Sequence, residues 1–183
     1  GIMASSMQPA LKAGSFESIA TVTVGSGGAS SVTFSSIPST YTHLQLRFIV
    51  RSDSGGYGKL TFNSDATGSN YYAHELTGNG SSAGAAAYAG SSYSAAIFQA
   101  SGIVTTANIF LAGVLDVLDY TSTNKNKTFR VLEGYDTNGS GIVQLSSGLW
   151  SATPTAITSI TLSISSGSFQ NYSHFALYGI KSS

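Results

Sequence analysis

The chain contains no cysteine. It therefore has no disulfide framework and no thiolate chemistry. Charge is also scarce: Asp, Glu, Lys and Arg make up 9% of its 183 residues, against about 25% in an ordinary globular protein. Eight basic side chains balance eight acidic ones. Such a chain lacks the electrostatic footprint for nucleic acid, whose binding rests on phosphate neutralisation, and the basic patch that anionic membranes attract. Neither partner is expected. No apolar run approaches the roughly 18 to 20 residues of a membrane-spanning helix, and the first residues lack the basic-then-apolar order of a signal peptide. Helical periodicity is nearly absent.

What is present is aromatic and alternating. Ten Tyr and nine Phe, with many Val, Ile and Leu, separate this chain from disordered sequences, which are poor in aromatics and rich in net charge. The domain can bury a core, and its surface is left to Ser, Thr, Gly, Asn and Ala. A surface of near-zero net charge tends to associate. That favours a protein living in an assembly, with a secreted β domain as the plainer alternative. Alternation marks strands over residues 16–24, 31–37, 43–51, 57–63 and 71–77, then 94–100, 108–120, 127–135, 141–149, 156–164 and 172–181. Residues 108–120 are largely apolar and read as an interior strand with both faces covered. The segment DTNG (136–139) is a hairpin signal, with Asn-Gly suited to a type I′ turn. Residues 78–92 read as a low-complexity Gly/Ala/Ser loop, functional or mobile by its length. About ten short strands separated by turn signals argue an all-β fold, an antiparallel β-sandwich that is jelly-roll-like. Residues 16–183 form one domain, preceded by a short N-terminal arm over residues 1–15, of which 1–7 include a candidate expression-tag remnant.

Chemistry-bearing patterns are few. His43, His74 and His174 fall on separate strands, without the clustered spacing of a metal site. Serines are abundant but no nucleophile elbow lies between a strand and a helix. Asp116 and Asp119, and Glu133 and Asp136, do not make a persuasive glycosidase pair. The loop NSDATGSN (63–70) places oxygen ligands at alternate positions, loosely as a Ca²⁺ loop does, but lacks the distal bidentate Glu, and Asx-rich loops form through backbone hydrogen bonding anyway. The expectation is no catalytic residue, no metal and no cofactor. Candidate contacts to a partner or glycan are Tyr71, Tyr72, Tyr88 and Tyr93, which flank the Gly/Ala/Ser loop and offer large contact area at low entropy cost. Lys125 and Lys127, on a polar hairpin, complete that set.

Four segments together resemble one family. They are STYTHLQLR (39–47), FNSDATGSNY (62–71), the long stretch over residues 115–150 ending in SSGLW with the single Trp150, and the closing FALYGIK (175–181). They resemble small β-sandwich virion structural proteins of tailed bacteriophages, and the likeness spans roughly residues 16 to 181. The resemblance implies a non-enzymatic capsid decoration or cement protein on the particle surface. It further implies other virion proteins as partners, either the major capsid protein or a tail protein, and a homo-oligomer, with a trimer favoured. A head or tail fibre, a receptor-binding domain, or a carbohydrate-binding module recognising a host-surface glycan are the alternatives. In this reading residues 1–15 anchor the domain to another virion protein. Their deletion is expected to abolish attachment in a virion-binding assay without changing the circular dichroism of the domain.

Overall fold

A computed structural model describes residues 14–89 and 104–181. The fold is all-β, an antiparallel sandwich of unequal layers. The strands are β1 (Phe16–Thr23), β2 (Ser31–Phe34), β3 (His43–Val50), β4 (Gly58–Phe62), β5 (Tyr71–Gly78), β6 (Ala83–Ala89), β7 (Leu111–Val117), β8 (Lys127–Asp136), β9 (Gly141–Trp150), β10 (Ile160–Ile164) and β11 (His174–Ile180). Eight of them form one sheet, ordered β1-β11-β3-β7-β8-β9-β5-β6. The other three form a small sheet, ordered β2-β10-β4. Pairing is nested: β1 lies against β11, β2 against β10 and β3 against β7. A ribbon folded back on itself and then rolled gives this first-with-last arrangement, the jelly-roll pattern.

Period-2 alternation places the core. On β3, Leu44, Leu46, Phe48 and Val50 point inward and are buried. They lie beside Phe175 and Leu177 of β11 and Leu111, Leu115 and Val117 of β7. The small sheet answers with two cross-strand rows, Phe34–Ile160–Phe62 and Val32–Leu162–Leu60. Each of these side chains is worth about 1.5–3 kcal/mol on full burial. Where rings need room, the adjacent strand of the same sheet supplies glycine: a Cβ at Gly148 would fall on the ring of Phe129, and one at Gly113 on Phe48.

Several sequence expectations are corrected. The β1 alternation does not hold throughout, because a bulge between Ser18 and Ala20 turns Phe16 and Ser18 to the outer face while Val22 faces the core. An inserted residue shifts the parity of everything after it. The β7 strand has only one covered face; Ala112 is exposed and Val114 and Asp116 are half-buried on the other. Within the expected loop at 78–92, Ala83–Ala89 is a strand paired along its length with β5. The strand expected at 94–100 lies outside the described residues, as do 1–13. The Asn138–Gly139 turn has positive φ at both residues, as a type I′ turn requires.

The two layers are tied at one corner. Trp150 at the end of β9 donates its indole N–H to Asp65 Oδ2 at 2.7 Å. The same oxygen accepts from Asn70 Nδ2 at 2.8 Å, and Oδ1 accepts from the Thr67 amide at 2.9 Å. Tyr71 OH donates to the Asp65 carbonyl and accepts from the Phe62 amide. Phe62, Phe129 and Trp150 pack around this corner at centroid separations of 5.6 Å. The neighbouring Asn63, in the left-handed region with φ 52°, accepts from the Thr158 and Ser159 amides and donates to Ala156 O. The loop that loosely resembled a Ca²⁺ loop thus spends its carboxylate on protein donors. Burial on its own would raise the Asp65 pKa; the bonds from Trp150, Asn70 and Thr67 outweigh it and hold the group at about 2, below its usual 3.8.

A carboxylate depressed in the folded state stabilises above its unfolded pKa and loses that contribution as pH falls through the folded value. The Asp65 contribution is therefore complete above pH 3.8 and lost as pH falls toward about 2. Replacing Trp150 with Phe deletes one charge-assisted bond and should cost about 2 kcal/mol, or about 4–8 °C in Tm for a domain of this size. The loss should shrink below pH 3.8, which thermal melts across pH 2–7 would check.

Candidate interaction surface

The outer face of the large sheet is ordered in rows by strand register. One row crosses from Val114 on β7 through Leu132 on β8, Leu145 on β9 and Leu76 on β5 to Ala85 on β6. The next row runs Ile49, Ala112, Gly134, Val143, Gly78 and Ala83. Leu76 is 60% exposed, Val143 55%, Leu132 51% and Leu145 50%. A groove of about 730 Å³ follows the same face, bordered by Leu76, Leu145, Ala85, His74 and Arg130. Singly scattered exposed leucines are ordinary, whereas a contiguous stripe marks a contact site.

The physical cause lies in the parity of three strands. At the Trp150 end, β8, β9 and β5 turn Phe129 and Val131, Trp150, and Tyr71 inward. Toward the other end the inward positions become Glu133, Gln144, Ser146 and Glu75, and the leucines between them face out. Glu133, Gln144 and Ser146 are buried nonetheless. Gln144 Nε2 donates to Ser146 Oγ at 2.7 Å, and Tyr88 OH donates to Glu75 Oε1 at 2.9 Å. Burial first, and then the bond to Glu75, push the Tyr88 phenol up to about 12. The inverted pattern, with polar residues in and leucines out, is visible in LTG, LEG and VQLS (76–78, 132–134, 143–146) once the register is known.

Toward β3 the face becomes polar. Asp116 accepts from Gln45 Nε2 at 2.9 Å and from Arg130 Nε at 3.1 Å. Arg47 donates to Gln45 and lies over the stacked rings of Phe16 and Tyr178. His43 accepts the Asp119 amide, His174 bonds Thr23, and His74 stands on β5. The three are not gathered, and among the described residues no group of three or more His, Asp or Glu is placed to hold a metal ion.

The sequence-predicted contacts separate. Tyr72 is 39% exposed on the outer face, opposite Leu149 and Ala89. Tyr88 is half-buried on the inner side of β6. Lys125 is exposed and pairs with Asp119 at 2.6 Å, the chief cause of that carboxyl's lowered pKa. Tyr93 lies outside the described residues. Tyr71 and Lys127 are corrected: both are 1% exposed and cannot reach a partner in the folded domain. Tyr71 packs in the Asp65 corner, where burial pushes its phenol up. Lys127 opens β8 on the inward parity and donates to the Ser122 and Lys125 carbonyls. It closes the 118–126 loop from inside, and burial lowers its pKa.

Tyr71→Ala should therefore destabilise by about 3–5 kcal/mol, as large aromatic truncations in cores do. Tyr72→Ala should stay within about 0.5 kcal/mol, as surface changes do. Chemical denaturation of both variants checks the contrast. Comparison with protein-family models, with curated proteins and with solved structures finds no match to this chain.

Proposed function

We propose that this chain is a non-enzymatic structural protein of a tailed-bacteriophage virion, acting as a capsid decoration or cement protein on the particle surface. The observation that carries the reading is the outer face of the large sheet, where apolar rows stand exposed in register on a domain with few charges. Such a face is built to be covered by protein. The β-sandwich supplies a rigid platform for it, and the resemblance of four segments to virion proteins supports this choice of assembly.

The test is location. Antibody raised against the folded domain is applied to purified particles of the source phage and followed by immunogold imaging and cryo-electron microscopy. Regular label over the capsid supports decoration. Label on the tail or on fibres moves the protein to the fibre or receptor-binding role. Particles that lack the chain altogether overturn the proposal.

A further inference from the structure

We infer that the outer face of the large sheet from β3 to β6 packs against the same face of a second copy of this chain, about a twofold axis lying between the Leu76 row and the Gly78 row. The inference rests on the reading of this face as an interaction surface, but not on where the protein is located.

A twofold contact is isologous, so the surface must be complementary to itself. The register provides that match. An axis passing over Glu133 on β8 and Thr77 on β5 exchanges residues equally spaced on either side of it. Leu132 of one copy then sits over Gly134 of the other, and Leu76 over Gly78. Leu132 and Leu76, which stand out of the surface, thus meet positions that carry no side chain, while Leu145 meets Val143. The same axis brings Arg130 of each copy opposite the exposed Asp136 of the other, since both lie three residues from Glu133 on one strand. A partner of unrelated sequence would need only apolar surface. The paired Leu–Gly and Arg–Asp correspondence about one axis is what a second copy adds.

The two rows that flank the axis run unbroken over six strands of the sheet order. At about 4.8 Å between strands and about 6.8 Å between same-face rows they cover roughly 400 Å², a compact contact about half the size of the roughly 800 Å² each partner buries in a standard interface. The chain has zero formal net charge, so two copies approach without mutual repulsion. Twisted sheets stacked in this way lie about 10 Å apart with strands inclined by about 30°.

The test uses the intact chain in analytical ultracentrifugation. The wild type should sediment at twice the 18.8 kDa chain mass. Leu145→Asp should weaken association roughly 30-fold or more, as central interface residues do, with an unchanged circular-dichroism spectrum and melting curve. Gly78→Val separates complementary packing from general stickiness. A Cβ at Gly78 meets only Val143 Cγ1 at 3.6 Å, so the fold has room for it, yet it fills the trough while adding apolar surface. Weakened association supports the inference; unchanged or tighter association overturns it. A wild type that stays monomeric at its solubility limit, or forms a trimer, also overturns the twofold contact. A monomer found on virions would sink this contact and leave the virion role standing, and a dimer absent from virions would do the reverse.

Discussion

The bond between the Trp150 indole and the Asp65 carboxylate sets the relation between the two sheets. Asp65 follows β4, an edge strand of the small sheet, and Trp150 ends a strand of the large one. A carboxylate there is costly to desolvate, so it is tolerable only with its oxygens satisfied. Trp150, Asn70 and the Thr67 amide satisfy them. Once fixed, Asp65 positions the Tyr71 hydroxyl through its own carbonyl, and Tyr71 in turn holds the Phe62 amide. The aromatic packing at this corner is therefore a consequence of polar geometry as much as of apolar burial.

From that corner the large sheet divides into two functions. One half closes the sandwich against β2, β10 and β4, with large apolar residues inward. The other half, over β8, β9, β5 and β6, carries a polar inner row and an apolar outer row. The same strands contribute to both halves, changing parity of character along their length without changing register. No added domain is needed to present an apolar surface; three strands continue past the core with their alternation reversed. The electrostatics fit this division, since the Asp116, Arg130 and Arg47 cluster stands at the margin of the apolar rows rather than within them.

Much of the fold is legible in the sequence because alternation and turn chemistry are local. His43–Val50 is a strand as its alternation predicts, with Leu44, Leu46, Phe48 and Val50 buried, and Asn138–Gly139 forms its turn. What is not legible depends on distant partners. Ala83–Ala89 has no periodic signal at all, since Gly and Ala mark neither face; it is a strand because β5 offers an edge. Asp65 reads as a generic loop acid until Trp150, 85 positions away, is brought to it. Lys127 reads as an exposed hairpin cation, yet it occupies the inward parity of β8, with its ammonium led to two carbonyls. The bulge in β1 leaves no mark in composition, so a simple parity count assigns Phe16 to the wrong face. Of the surface, the aromatic residues are the candidates visible in the sequence. The leucines give no such signal, because a Leu in a strand reads as core.

The nested pairing has a consequence for the order of events during synthesis. The first strand, β1, has β11 as its neighbour in the sheet, and β11 also separates β1 from β3. Until residues 174–180 leave the ribosome, β1 has no partner and the inner face of β3 lacks Phe175 and Leu177 beside it. Folding must then close its longest loop last, which makes a roll of this kind slow and non-local. While it waits, the nascent chain holds several apolar strands with open edges, a period in which pairing with another nascent copy competes with completing its own sheet.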